Sequence, residues 1–282
     1  MIEELHEEKL KDLELKANQI RQLIIEMLVE AKSGHSGGPL GMADIFAAFY
    51  FHILKHDPKN PNMENRDRLI LSNGHICPVQ YATLALAGYF PIEELKTLRK
   101  INSRLQGHPH RGSLPGLETT SGPLGEGLSE AIGIALAGKL DNKNYRVYCL
   151  TSDGEHEEGN TWEAVMFAAK NKLNLIQVID RNYIQIDGRT EDIMPLDPLK
   201  TKYESFNWNA IEIDGNDIKS FIEAIQKAKL VLDKPTIIIA KTVPGKGVSF
   251  MENDYHWHGK PPNKEEAEKA LIELKILENK LT

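Results

Sequence analysis

Two short segments of the 282-residue chain carry side chains suited to a hard cation: Ser-Asp-Gly-Glu at 152–155 and Asp-Arg-Asn-Tyr-Ile-Gln-Ile-Asp-Gly at 180–188. The Asp153 carboxylate, the Asn182 carboxamide oxygen and the backbone carbonyl of Ile184 are the kind of oxygen donors that magnesium (Mg2+) accepts, with water and phosphate oxygens completing its shell. A cation held this way implies a bound diphosphate. Taken singly, each segment reads more readily as a turn, since Asp-Gly is a common turn pair. Side by side at the mouth of one pocket, the two acquire a chemical purpose.

What must position them is a sheet. Leu13, Ala17, Ile20, Ile24, Met27 and Ala31 recur at spacings of three and four, the face of an amphipathic helix that Gly34 can end. After it, apolar β-rich runs at Leu69–Leu71, Val147–Leu150, Leu175–Ile179, Ala210–Ile213 and Thr236–Ala240 alternate with helical stretches. One such stretch is Thr161–Lys172, with Trp162, Val165, Met166 and Ala169 on one face; another is Asp217–Leu232. The alternation predicts an α/β fold, a mostly parallel sheet flanked by helices. In such sheets ligands collect beyond the carboxyl ends of the strands. Here that edge receives SNGH (72–75), TSDGE (151–155), DRN (180–182), PGKG (244–247) and HWHG (256–259). Past Pro261 and Pro262 the composition shifts to a terminal helical segment, which divides the chain into residues 1–262 and a tail at 263–282.

A hydrophobic content of 41% with 27% charged residues is that of an ordinary globular chain, and a net charge of −7 provides no general attraction to nucleic acid. Any anion site must be locally positive. Cys77 and Cys149 fit no metal or redox spacing, and the charged amino terminus lacks the apolar core of a signal peptide. No apolar run is long enough to span a bilayer. The expectation is a cytoplasmic protein without membrane or nucleic-acid partners.

Asp-Gly, a crossover and then Asn resembles the thiamine-diphosphate signature, and further segments resemble the amino-terminal half of transketolase: AKSGHSGGPLGMADI (31–45), DRLILSNGH (67–75), GHP (107–109), ETTSGPLGEG (118–127) and WHGKP (257–261). They follow the family's order across most of the chain. The resemblance implies thiamine diphosphate as cofactor, with Asp153, Asn182 and the Ile184 carbonyl as metal ligands. It makes His35, His108 and His258 catalytic, through hydrogen bonds to the donor's hydroxyls and proton transfer, tasks that suit imidazole. His75, Gly122, Pro123, Leu124 and Gly154 become cofactor contacts. Glu158 and Glu163 match acidic residues near the family's cofactor and subunit interface, although acids also favour the first turn of any helix. His52, His56, His110, His156 and His256 gain no such support, and Lys246 in PGKG reads as solvent-facing. GPLGEG precedes a helical run at Leu128–Leu140, so its amides could meet an anion, while Gly133, Ala135 and Gly138 could instead mark close helix packing.

Two departures stand out: Ser152 where the signature begins with Gly, and Ser36 where the family has Pro. No segment resembles the family's pyrimidine-binding domain, which supplies the glutamate that activates the cofactor. The resemblance therefore implies a partner, the carboxyl-terminal transketolase subunit, in a heterotetramer with two copies of each chain, acting on sugar phosphates. Another thiamine-diphosphate component, such as the alpha chain of a 2-oxo acid dehydrogenase or a deoxyxylulose-phosphate synthase, is the competing reading; SGH, GHP and WHGK favour transketolase. A non-catalytic cofactor-binding subunit would suit decayed metal and histidine positions, and these are intact.

Overall fold

The computed structural model describes residues 5–281; residues 1–4 and Thr282, the outermost parts of the expected segments 1–262 and 263–282, lie outside the described residues. In chain order the elements are α1 (Glu7–Ala31), α2 (Gly37–Gly41), α3 (Ala43–Ala48), β1 (Arg68–Leu71), α4 (Cys77–Leu86), α5 (Glu126–Leu140), β2 (Val147–Ser152), α6 (Gly159–Lys170) and β3 (Leu175–Arg181). An antiparallel ribbon of β4 (Ile184–Gln185) and β5 (Gly188–Arg189) follows, then α7 (Thr190–Ile193), α8 (Leu199–Ser205), β6 (Asn209–Asp214), α9 (Ile218–Lys229), β7 (Thr236–Lys241) and α10 (Lys264–Leu281). Among the described residues no helix is long and apolar enough to cross a membrane.

The five long strands form one parallel sheet in the order β1-β2-β3-β7-β6. Its central strands are apolar on both faces because both are covered. Tyr148, Leu150, Ile176, Val178 and Ile238 face a core shared with α1, α3, α4, α9 and α10. Val147, Cys149, Leu175, Ile179, Ile237 and Ile239 face a second core with α5, α6 and α8. The chain steps outward from β1 to β3, then returns through β6 to β7, so the direction reverses between β3 and β7. That reversal opens the crevice where ligands bind in such sheets.

Local chemistry places the helices. Asp217 caps α9 by accepting from the Ser220 amide at 3.1 Å, and Ile218, Phe221, Ile222 and Ile225 bury one side of it. Lys32, in the left-handed region at φ 52°, ends α1 before Gly34. α10 lies along α1, with Ala267, Ala270 and Leu274 in the core and the Asn18 amide donating to the Leu274 carbonyl at 2.9 Å.

The strands run one or two residues beyond the apolar runs that announced them. Ser152 pairs with Asp180, Asp180 with Ala240 and Arg181 with Lys241, so polar residues at the carboxyl ends still belong to the ladder. On α6 the buried face is Thr161, Ala164, Val165 and Ala168; Met166, expected on it, is 50% exposed. The rotation follows from how the helix begins: the Thr161 hydroxyl donates to the Glu155 carbonyl and the Trp162 indole to the His156 carbonyl at 3.1 Å.

Candidate active site

At the carboxyl end of β2, Asp153 is 1% exposed, and its two oxygens differ sharply. Oδ2 accepts from Arg181 Nη1 at 3.0 Å, the Tyr183 amide at 2.7 Å and the Thr190 hydroxyl at 3.2 Å. Oδ1 is buried and meets no protein donor. Burial pushes this carboxyl up to about 6, against the pull of Arg181. Next to it, Asn182 donates from Nδ2 to Asp180 Oδ2 at 2.9 Å, which fixes the orientation of the amide, and its Oδ1 accepts from the Ile184 amide at 3.0 Å. Asp180 also accepts from the Thr242 hydroxyl, joining β3 to β7 across the reversal, and burial pushes it up to about 7.

Glu155 ties three loops together. Its Oε1 accepts from the Ser72 hydroxyl and the Gly125 amide at 3.0 Å, and its Oε2 from the Ser152 amide at 2.9 Å. The side chain is fully buried, and that burial raises it to about 7. Gly125 reaches it from the left-handed region, φ 82°, and two residues on Gly127 lies so near Ser72 that a Cβ would come within 2.5 Å of that side chain. The glycines thus let the start of α5 close on the ends of β1 and β2. Gly122, by contrast, has no atom within 4 Å of where a Cβ would stand.

Above this floor stand the histidines. Ring centroids lie 5.0 Å apart for His35 and His75, 5.2 Å for His75 and His258, and 5.7 Å for His35 and His258. Burial lowers all three, with repulsion from His258 adding to it at His35, which falls to about 4, and at His75. They are neutral imidazoles at neutral pH. Nδ1 of His35 and of His258 is buried without a protein partner. His108 joins them from an exposed loop.

These groups line one cleft of about 450 Å3, together with Gly122, Leu124, Gly154, Glu158, Asn182 and Ile184. Asp153 sits beneath it; Pro123 and Glu163 are exposed and outside its lining. PGKG stands behind the cleft, where the Gly245 amide donates to the Gly37 carbonyl at 2.8 Å and braces the His35 loop. Ser36, the departure from the family pattern, donates to the Lys260 carbonyl at 2.6 Å and ties that loop to the His258 loop. Sequence reasoning missed Glu155, Asp180 and Arg181 as site-forming residues, and Ser152, Glu157, Gln185, Ile186 and Asp187 as lining. His156, given no role, is a buried structural residue bonded to the Ser152 carbonyl at 2.8 Å.

Among the described residues no three His, Cys, Asp or Glu side chains gather as a metal cluster. One carboxylate oxygen without a partner and an oriented carboxamide, with Ile184 beside them in the lining, suit a cation that takes its other ligands from phosphate and water. The open space beside Gly122, and the light contact at Gly154, where a Cβ would meet only Leu124 at 3.9 Å, leave room for that phosphate group.

Residues 13–277 match the family described as "Transketolase, thiamine diphosphate binding domain". The chain is 42% identical over 264 residues to a 6-deoxy-6-sulfo-D-fructose transketolase subunit from Clostridium sp. (strain MSTE9), covering 93% of this chain and 96% of that one. To an apulose-4-phosphate transketolase subunit from Actinobacillus succinogenes it is 41% identical over 266 residues, covering 94% and 96%. The crystal structure of transketolase from Campylobacter jejuni subsp. jejuni NCTC 11168 superposes with a TM-score of 0.88 at 36% identity, across 93% of this chain but 42% of that one. The chain therefore has the span of the two subunits and under half that of the Campylobacter enzyme. Fold, order of loops and sequence agree, and the chain belongs to the transketolase family, as its thiamine-diphosphate-binding domain.

Proposed function

We propose that the chain is the amino-terminal subunit of a split transketolase, which holds thiamine diphosphate and magnesium and, with a carboxyl-terminal partner, moves a two-carbon ketol group from a ketose phosphate to an aldose phosphate. One observation carries the reading: a buried carboxylate oxygen on Asp153 without a protein donor, in the floor of a cleft walled by the imidazoles of His35, His75 and His258. Asp153, Asn182 and the Ile184 carbonyl hold the cation, and Gly122, Leu124, Gly154 and His75 hold the cofactor. Bound thiamine diphosphate supplies the electron sink for carbon–carbon cleavage. His35, His108 and His258 bind the sugar hydroxyls and move protons. A neutral imidazole suits this because one nitrogen accepts while the other donates. Residues 1–262 form the cofactor-binding unit and 263–282 a helical extension of it.

The partner is supported by relatives named as subunits over nearly this whole span. Leu124 and Ile186, 37% and 61% exposed, give the cleft an apolar rim that a partner would cover in an assembly with two copies of each chain. Two free, buried cysteines agree with a reducing cytoplasm. The test is a ketol-transfer assay with xylulose 5-phosphate and ribose 5-phosphate, thiamine diphosphate and magnesium, run on the chain alone and with its partner. The named relatives add 6-deoxy-6-sulfo-D-fructose and apulose 4-phosphate as donors. Turnover is expected only in the mixture. Robust turnover by the pure single chain overturns the split reading, and activity on pyruvate alone would move the chain to another thiamine-diphosphate enzyme.

A further inference from the structure

Arg181 is the last residue of β3 and is 1% exposed, yet its guanidinium serves three carboxylates. Nη1 donates to Asp153 Oδ2 at 3.0 Å, while Nη2 lies 2.5 Å from Glu191 Oε1 and 3.2 Å from Asp197 Oδ2. Its plane lies over the Tyr183 ring, 4.0 Å from the centroid. Tyr183 adopts φ 61°, unusual for a residue with a side chain, and that turn brings its amide to the same Asp153 oxygen. Three donors thus converge on Oδ2 and none on Oδ1. The crowded oxygen has no lone pair left for a cation. Glu191 on α7 and Asp197 after it belong to the segment that follows Tyr183 and the ribbon, so one buried side chain joins that segment to Asp153.

We propose that Arg181 is a positioning residue for the cation site: together with the Tyr183 amide and the Thr190 hydroxyl it occupies Asp153 Oδ2 and orients the carboxylate so that Oδ1 alone faces the cation, and it couples cation binding to the order of residues 183–197. The inference rests on the preceding reading of Asp153 and Asn182 as metal ligands. The planar fork is essential, since two amino groups in fixed geometry hold Asp153 on one side and Glu191 with Asp197 on the other, which a lysine ammonium cannot do.

The experiment titrates magnesium into the full-length chain at saturating thiamine diphosphate by calorimetry, and follows hydrogen exchange of residues 183–197 with and without magnesium. Arg181→Met is expected to weaken magnesium binding by roughly 10–100-fold, the range for groups that orient a metal ligand, and to abolish magnesium-dependent protection of the segment. Arg181→Lys should fall between Met and wild type. Asp153→Ala separates the two readings. If Asp153→Ala binds magnesium as wild type does, the metal assignment fails and this inference with it; if Asp153→Ala loses binding while Arg181→Met stays within twofold of wild type, this inference alone fails. Should Arg181→Met not fold, the Glu191→Gln/Asp197→Asn double variant decides. It frees Nη2 to close on Asp153 Oδ1 in competition with the cation, so weaker magnesium binding supports the proposal and unchanged binding overturns it.

Discussion

On the floor of the cleft the buried carboxyls are met by donors at every oxygen but Asp153 Oδ1: Asp153 Oδ2 by Arg181, Tyr183 and Thr190, Asp180 by Thr242 and Asn182, Glu155 by Ser72, Ser152 and Gly125. In the wall, His35, His75 and His258 crowd together uncharged, and two of their Nδ1 atoms bond to nothing in the protein. The floor is built into the fold, and its groups hold one another. The wall is carried by the fold without contributing to it, and an unpartnered buried nitrogen costs stability unless a ligand meets it. Contrast of this kind separates residues that make a site from residues that work in it.

The comparison breaks first at the wall. In the assembled enzyme, His258→Ala and His108→Ala should lower turnover by roughly two to four orders of magnitude, the usual contribution of a positioned proton-transfer group, while cofactor affinity and melting temperature barely move. Steady-state kinetics beside calorimetry checks this, and unchanged turnover in both variants returns them to ordinary surface histidines. On the floor, Asp153→Ala should weaken magnesium-dependent binding of thiamine diphosphate by about 100-fold and Asn182→Ala by less, in titrations of the metal-free protein. Glu155→Ala acts on the fold itself. It leaves a hydroxyl and two amides buried without an acceptor, a loss of about 3 kcal/mol by denaturant unfolding, and Glu155→Gln should recover part of it.

A gentler test uses pH. Burial holds the Asp153 carboxyl up to about 6, and a proton there competes with the cation. Magnesium affinity should therefore fall as the pH drops below about 7, roughly tenfold by pH 5 from neutralising Asp153 alone, with Asp180 and Glu155, both raised to about 7, taking up protons in the same window. His35, lowered to about 4, stays neutral across that window and cannot imitate the effect. The smallest change is Ser36→Ala, which removes the 2.6 Å bond to the Lys260 carbonyl and should cost about 1 kcal/mol with a modest loss of turnover.

That the loops of Asp153 and Asn182 meet at one cleft was legible because each follows an apolar run; the histidines were singled out by the family resemblance, not by periodicity. Glu155 and Arg181 stand in the same motifs, yet nothing in their spacing tells which oxygens they satisfy. That depends on the parallel register bringing Ser72, Ser152 and Asp180 to one edge. Strand ends were cut short for a related reason: apolarity marks what faces the cores, whereas backbone pairing continues into the polar residues that form the site. Met166 misled because a helix's rotation is set by its first turn, here by Thr161 and Trp162, and not by its apolar residues alone. Ser36 looked like a lost proline until its hydroxyl was seen to fasten two histidine loops together.

The seam between α1 and α10 also bears on how the molecule is made. Asn18 and Leu274 are joined across 256 residues, as are Gln22 and Glu278. A ribosome adding roughly 5–20 residues per second takes about 13–50 s to cover that distance. During synthesis the strip of α1 beneath Leu274 stays uncovered for that long. The sheet and the carboxyl floor of the cleft can assemble within that interval, so the last helix seals a domain whose cleft is already formed, and the nascent chain's exposure to chaperones or to misassociation is concentrated on that single helical seam.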